Sequence, residues 1–136
     1  MAKNNIAIKV KDLMYKKNSN YSYHFGGFQL IFSNGESSPV FTCTGQDASG
    51  LQSFAIPDYS QVKRINGSLQ NYWLCGLSFN KKDGTEITKV ETCSNPFGQE
   101  TVLADDEEII GVYGTEKVQP NYFTQLGFIV WKPPKL

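Results

Sequence analysis

The dipeptide Asn-Tyr stands ahead of an alternating apolar run three times. It occurs at Asn20-Tyr21 in "NSNYSYHFGGFQL", at Asn71-Tyr72 in "LQNYWLCGLSF" and at Asn121-Tyr122 in "QPNYFTQLGFIVW", at spacings of 51 and 50 residues. Other landmarks keep nearly the same interval. Gly35 of "FSNGE" and Gly84 of "KKDGT" lie 49 residues apart, as do Leu77 of "GLSF" and Leu126 of "QLGF". Strand-like runs such as "SQVKRINGS" and "EEIIGVYGT" precede the second and third Asn-Tyr pairs. Self-similarity at a fixed period means that one supersecondary unit is used repeatedly, and neighbouring units must bury each other's apolar faces.

Within each unit the apolar residues alternate with period two between clusters of Gly, Asn, Asp and Ser, and helical periodicity is hard to find, so the class is all-β. The candidate strands are "IAIKVKD", "GGFQLIFSN", "SSPVFTCT", "LQSFAIP", "QVKRINGS", "WLCGLSFN", "TEITKVETC", "TVLADD", "EEIIGVYG" and "FTQLGFIVW". Turn chemistry separates them at Asn34-Gly35, at Asp83-Gly84 and in the Gly45 to Gly50 segment "GQDASG". Each unit reads as a four-stranded, Greek-key-like antiparallel sheet, and three such sheets can share a core if they stand as the walls of a prism with internal pseudo-threefold symmetry. The inner face then carries Phe28, Leu30, Phe54, Val62, Ile65, Leu77, Phe79, Ile109, Val112, Leu126 and Phe128. A length of 136 residues with 40% hydrophobic content is read as a single domain over 1–136.

Thirteen Lys and Arg balance thirteen Asp and Glu, which removes the positive field that gathers nucleic acid or anionic lipid. The N-terminus "MAKNNIAIKVKDLM" has no apolar signal region and no stretch of about 18 apolar residues occurs, so neither membrane insertion nor classical export is expected. The expectation is a soluble protein, cytoplasmic or non-classically secreted. Cys43, Cys75 and Cys93 are odd in number, without metal-like spacing, and are expected as reduced, mostly buried thiols. Asn20-Tyr21-Ser22 and Asn66-Gly67-Ser68 are glycosylation sequons only for an exported chain. Lys9, Lys11, Lys16 and Lys17 read as a solvated edge strand, and Asp105 to Glu108 as a hairpin turn without the spaced oxygens of a calcium loop. With one histidine, His24, and no nucleophile, zinc, phosphate or dinucleotide motif beside it, neither an enzyme nor a cofactor is expected.

The segment from Trp73 to Pro133 resembles the closing half of the jacalin-related lectins. An "L-x-F" strand and a Lys-rich Gly turn lead to "NPFG", an acidic turn, "EIIGVYG" and a terminal "LGFIV" strand, while "GGFQLIFSNGESSPVFT" resembles the family's first such strand pair. The likeness runs from about Ile6 to Pro133 and rests on the order and spacing of these motifs. It implies the β-prism I fold and a carbohydrate site at one end of the prism. In that family the site combines a glycine-rich N-terminal loop with a glycine, three residues and an aspartate before the last strand. Here Pro120 stands at the glycine position and Thr124 at the aspartate position, the equivalents of Thr124 in the other units are Cys75 and Gly26, and "AKNNIAIKV" replaces the glycine loop. The resemblance therefore implies altered or weakened sugar specificity. Replacing two hydrogen bonds to a carboxylate by neutral ones lowers binding by about 1 to 3 kcal/mol.

What the loop apices do offer is polar and aromatic. Asn121, Tyr122, Thr124 and Gln125 at the third apex, Asn71, Tyr72 and Trp73 at the second, and Tyr23 at the first are the candidate ligand contacts, with rings to cover sugar C–H faces and amides to read hydroxyls. Asp47 of "GQDASG" adds a carboxylate where the family carries a glycine-rich loop in its second sheet. The same set suits a protein surface. It also suits a purely architectural role, in which Tyr caps the prism and Asn holds the turn through side-chain hydrogen bonds to backbone. The two functional expectations are accordingly a lectin-like module that binds a glycan or glycoprotein and a β-prism that contacts protein; oligomeric state is left open.

Overall fold

The computed structural model describes residues 8–17, 25–43, 47–70, 73–91, 97–117 and 122–132, and their side chains except at 70, 73, 99, 114–117 and 122–125. Among these, ten strands run in order: β1 (Val10–Lys17), β2 (Phe25–Phe32), β3 (Phe41–Thr42), β4 (Gln52–Ser53), β5 (Arg64–Gln70), β6 (Trp73–Asn80), β7 (Glu86–Glu91), β8 (Gln99–Val102), β9 (Glu108–Lys117) and β10 (Tyr122–Trp131). A short 3-10 turn, Tyr59–Gln61, precedes β5 and was not expected from the sequence; Asp58 caps it by accepting the Ser60 N–H. The first strand also starts later than "IAIKVKD" suggests. A register shift between Val10 and Asp12 resets the alternation, so that Val10, Leu13 and Tyr15 turn inward together.

All strand pairings are antiparallel, in three sheets. Sheet 1 has the order β4-β1-β2-β3, sheet 2 the order β8-β5-β6-β7, and β9 pairs with β10 in sheet 3. In both four-stranded sheets the fourth strand returns to lie beside the first, which is the Greek-key order. The Asn-Gly and Asp-Gly turns are built alike. Gly35 (φ 90) and Gly84 (φ 91) take the left-handed conformation, and Asn34 and Asp83 each accept a backbone N–H two residues on, from Glu36 and Thr85.

One apolar core draws on every sheet. Phe28 and Leu30 of β2, Ile65 of β5, Leu77 and Phe79 of β6, and Ile109 of β9 are buried, as are Phe54 and Val62 from the link between sheets 1 and 2. Val112, Leu126 and Phe128 of the expected inner face are partly buried against them. Phe79, with no exposed surface, stands edge-on to Phe54 at 5.0 Å, to Tyr59 at 6.2 Å and to Phe128 at 6.2 Å, and so joins rings from three parts of the chain.

Contacts at one end fix how the sheets point. Lys9, just ahead of β1, pairs with Glu108 at the start of β9 (Nζ to Oε1 3.2 Å), and Lys63, just ahead of β5, donates from Nζ to the Glu107 carbonyl at 2.7 Å. The starting ends of β1, β5 and β9 therefore meet, and the three leading hairpins run away from a common base. The acidic run forms the expected turn there, with the Ala104 N–H bonded to the Glu107 carboxylate at 2.7 Å and the Glu107 N–H to the Ala104 carbonyl at 3.0 Å.

Two expectations about cysteine and lysine are corrected. Cys43 and Cys75 are fully buried and Cys43 is a reduced thiol, but Cys75 is disulfide-bonded. Three cysteines at these spacings give no sign of which is bonded. Cys93 itself lies outside the described residues. Lys16 is not a solvated edge lysine. Strand β1 lies between β2 and β4, and Lys16 is 8% exposed.

Candidate functional site

In sequence, the three Asn-Tyr pairs follow the first strand of each leading hairpin. They occupy the sequence between β1 and β2, between β5 and β6, and between β9 and β10, with Trp73 and Tyr122 as the first residues of β6 and β10. Tyr23, Asn71, Tyr72 and Asn121 lie outside the described residues, and Trp73, Tyr122, Thr124 and Gln125 are described as strand backbone only. At Thr124 the backbone shifts register, because Phe123 pairs with Glu116 and Gln125 with Thr115. A β-bulge at the mouth of a hairpin re-aims the side chains that follow it.

Asp47 is the candidate whose side chain is defined. It lies in the connection from β3 to β4, and the antiparallel order places that connection at the same end of sheet 1 as the one carrying Tyr23. Its side chain is 76% exposed, yet Oδ1 collects three donors: the Ser49 hydroxyl at 2.6 Å, the Ser49 N–H at 3.0 Å and Lys16 Nζ at 3.0 Å. Lys16 Nζ also donates to the Asp47 carbonyl at 2.9 Å. The Ser49 bonds, then the Lys16 ammonium, hold the Asp47 carboxyl well below the usual carboxylate range. The group is therefore a fixed anion at neutral pH. Every donor converges on Oδ1, and among the described residues none reaches Oδ2.

The lysine reaches this position because the sheet leaves it a path. Tyr15 is in the core, so Lys16 emerges on the opposite face of sheet 1, in a cross-strand row with Gly27 of β2 and Thr42 of β3. A methyl group on Gly27 would come within 2.9 Å of Thr42 Cγ2, 3.2 Å of the Phe41 carbonyl oxygen and 3.3 Å of Lys16 Cγ. The tightest of these approaches is to Thr42 Cγ2, so a side chain at Gly27 would press first on β3 and more lightly on the lysine stem. Sequence reading missed Lys16, and the available signal was the glycine pair inside "FGGFQL" beside a lysine-bearing neighbour strand.

Elsewhere the surface offers different chemistry. A cleft of about 460 Å³ opens between sheets 2 and 3, and among the described residues it is walled by Ile65, Leu77, Leu126 and Phe128 and does not include Asp47. The sequon residue Asn66 is in mid-strand, with Nδ2 bonded to Glu100 at 3.2 Å and Oδ1 accepting from Asn80 at 2.9 Å, so it is not presented as a glycan acceptor. Among the described residues no helix is long and apolar enough to cross a membrane.

No family model matches the chain, and no curated protein matches it. Among solved structures it is similar to the crystal structure of a prostate-specific WGA16 glycoprotein lectin, form II, at 12% identity and a TM-score of 0.66, over 96% of this chain and 87% of that one. At that identity the likeness establishes a shared all-β, lectin-like fold.

Proposed function

We propose that the chain is a carbohydrate-binding, lectin-like module of the jacalin type whose three sheets form one β-prism I domain with internal threefold pseudosymmetry. The observation that carries the reading is the near end-to-end fold match to a lectin, supported by an outward carboxylate on a loop at the hairpin end of sheet 1. Such a carboxylate accepts sugar hydroxyls through strong, charge-assisted hydrogen bonds, which a sugar forms as donor. With Thr124 and Pro120 where the family keeps aspartate and glycine, Asp47 takes over the carboxylate role, and sugar specificity differs from the family's usual mode. Aromatic Tyr23, Tyr72, Trp73 and Tyr122 and the amides of Asn71, Asn121 and Gln125 complete the binding end. The role is binding rather than catalysis. Of the two expected locations, secretion fits better, since a disulfide at Cys75 persists in oxidising compartments.

A glycan array followed by titration calorimetry tests this. Asp47→Asn should weaken the bound glycan about tenfold or more, because a hydrogen bond to a charged group is worth roughly 1.5 to 3 kcal/mol and each 1.4 is tenfold. An unchanged affinity in the folded variant removes Asp47 from the site.

A second reading, a prism that contacts protein, is favoured by the outer face of sheet 3. There Tyr113 lies over Gly127 and Ile129 over Gly111, and the two side chains remain 60% and 48% exposed. Apolar side chains standing out from a sheet suit a protein surface. An array without hits, together with loss of self-association or partner binding in Tyr113→Ser/Ile129→Ser, would establish that reading over the first.

A further inference from the structure

We propose that Lys16 is the positioning residue of the sugar site at Asp47: its stem crosses sheet 1 over Gly27 and its ammonium fixes the loop carboxylate with Oδ2 outward. The proposal rests on the glycan-binding reading above and adds a residue that no motif would nominate. A buried lysine requires a partner, since an ammonium removed from water is strongly disfavoured unless paired and hydrogen-bonded. Here the side chain is 9% exposed and its hydrogen bonds among the described residues go to one residue, to the carbonyl and to Oδ1 of Asp47. Backbone and side chain of a single loop position are thus held by one cation. A surface ion pair would not behave this way, because two exposed side chains wander and are screened.

The arrangement divides the work of the carboxylate. Oδ1 is committed inward to Ser49 and Lys16, and Oδ2 is left for a ligand's hydroxyls. Ser49 alone closes a local turn and cannot set where that turn sits on the sheet. Lys16 can, because it is anchored in a central strand 31 residues away in sequence. Preorganising an acceptor in this way strengthens binding by removing the ordering that a free loop would undergo on contact. Among the described residues, Lys16 is the charged group that faces Asp47.

The test uses the full chain and the mannose or galactose neoglycoconjugate that the wild type binds on an array, with affinities measured from pH 7 down to pH 3. Lys16→Met keeps the stem and removes the charge, and the Asp47 carboxylate it leaves behind is 76% exposed, so that charge stays in water rather than stranded in the interior. It should weaken binding about tenfold, and added to Asp47→Asn it should do little further harm, since the two act as one unit. Lys16→Leu, which also removes the ammonium, should act in the same direction and serves if Lys16→Met does not fold. A second readout needs no sugar: carbon-detected titration of the Asp47 carboxyl should move up in Lys16→Met. The acid limb of binding should move up with it. Wild-type affinity and an unmoved Asp47 titration in folded Lys16→Met would overturn the proposal while leaving Asp47 as a contact. Unchanged affinity in Asp47→Asn, or a wild type silent on the array, would overturn the glycan reading and the positioning role with it.

Discussion

Phe79→Ala is the substitution that bears hardest on the shared core. Phe79 is fully buried and meets Phe54 at 5.0 Å, Tyr59 at 6.2 Å and Phe128 at 6.2 Å, all edge-on. Truncating a buried phenylalanine costs about 3 to 5 kcal/mol, and lost edge-to-face pairing puts this site toward the upper part of that range. Against a total stability of about 5 to 15 kcal/mol the loss is large, and it corresponds to a fall in melting temperature of roughly 10 to 20 °C. Urea unfolding followed by tryptophan fluorescence and by circular dichroism measures it, with Val102→Ala, at a site 59% exposed, as a control expected to change stability by less than about 0.5 kcal/mol. Coincident transitions shifted together are expected, because sheets that share one ring cluster lose it together. A loss below about 1 kcal/mol, or separate transitions for the two probes, would refute the reasoning that Phe79 ties the sheets into one cooperative unit.

Tyr59→Phe should cost about 1 to 3 kcal/mol in the same assay, because the Tyr59 hydroxyl accepts the buried Leu13 N–H at 3.0 Å and its removal leaves that donor unsatisfied. Burial also pushes the Tyr59 hydroxyl pKa up, so stability should be full below the ordinary tyrosine range and fall as pH rises above about 10; the variant should lose that dependence. The carboxyls of Asp47, Asp58, Asp83 and Asp105 are all held low, by Ser49, Ser60, Thr85 and Lys82 respectively. Groups with depressed folded pKa values stabilise above the ordinary carboxylate range and lose that contribution as pH falls through them, so melting temperature should be level from pH 7 to about 5 and drop below about 4. Thiol titration in denaturant should find one reactive cysteine per chain before reduction and three after it, given a reduced Cys43 and a disulfide-bonded Cys75. Three thiols before reduction would show the link to be absent.

The two four-stranded sheets were legible because their signals are local, whereas the third, also expected with four strands, has two, β9 and β10, among the described residues. Alternation marked the inner face from Phe28 to Phe128, and Asn34-Gly35 and Asp83-Gly84 form like turns because only glycine takes the left-handed position comfortably. What escaped reading depends on pairing across the sheet. The bulge between Val10 and Asp12 moved the first strand toward the C-terminus, and the 3-10 turn at Tyr59 is stabilised by a hydroxyl bond to Leu13, far away in sequence. The disulfide at Cys75 leaves no mark in the spacing of three cysteines. At the candidate site, Asp47 was legible as a carboxylate among turn residues. Lys16 was not, because its burial depends on the strands that flank β1 and on a loop 31 residues away in sequence.

The central claim, that this fold presents a sugar site built on Asp47, is tested most directly by calorimetric titration of the wild type and Asp47→Asn with the best glycan from an array of mannose, galactose and sulfated structures. Binding by the wild type and a loss of about tenfold or more in the variant are expected, with the variant still folded as judged by its circular dichroism and a cooperative melt. Silence of the wild type across those glycans at millimolar concentration, or equal affinity in the two proteins, would contradict it.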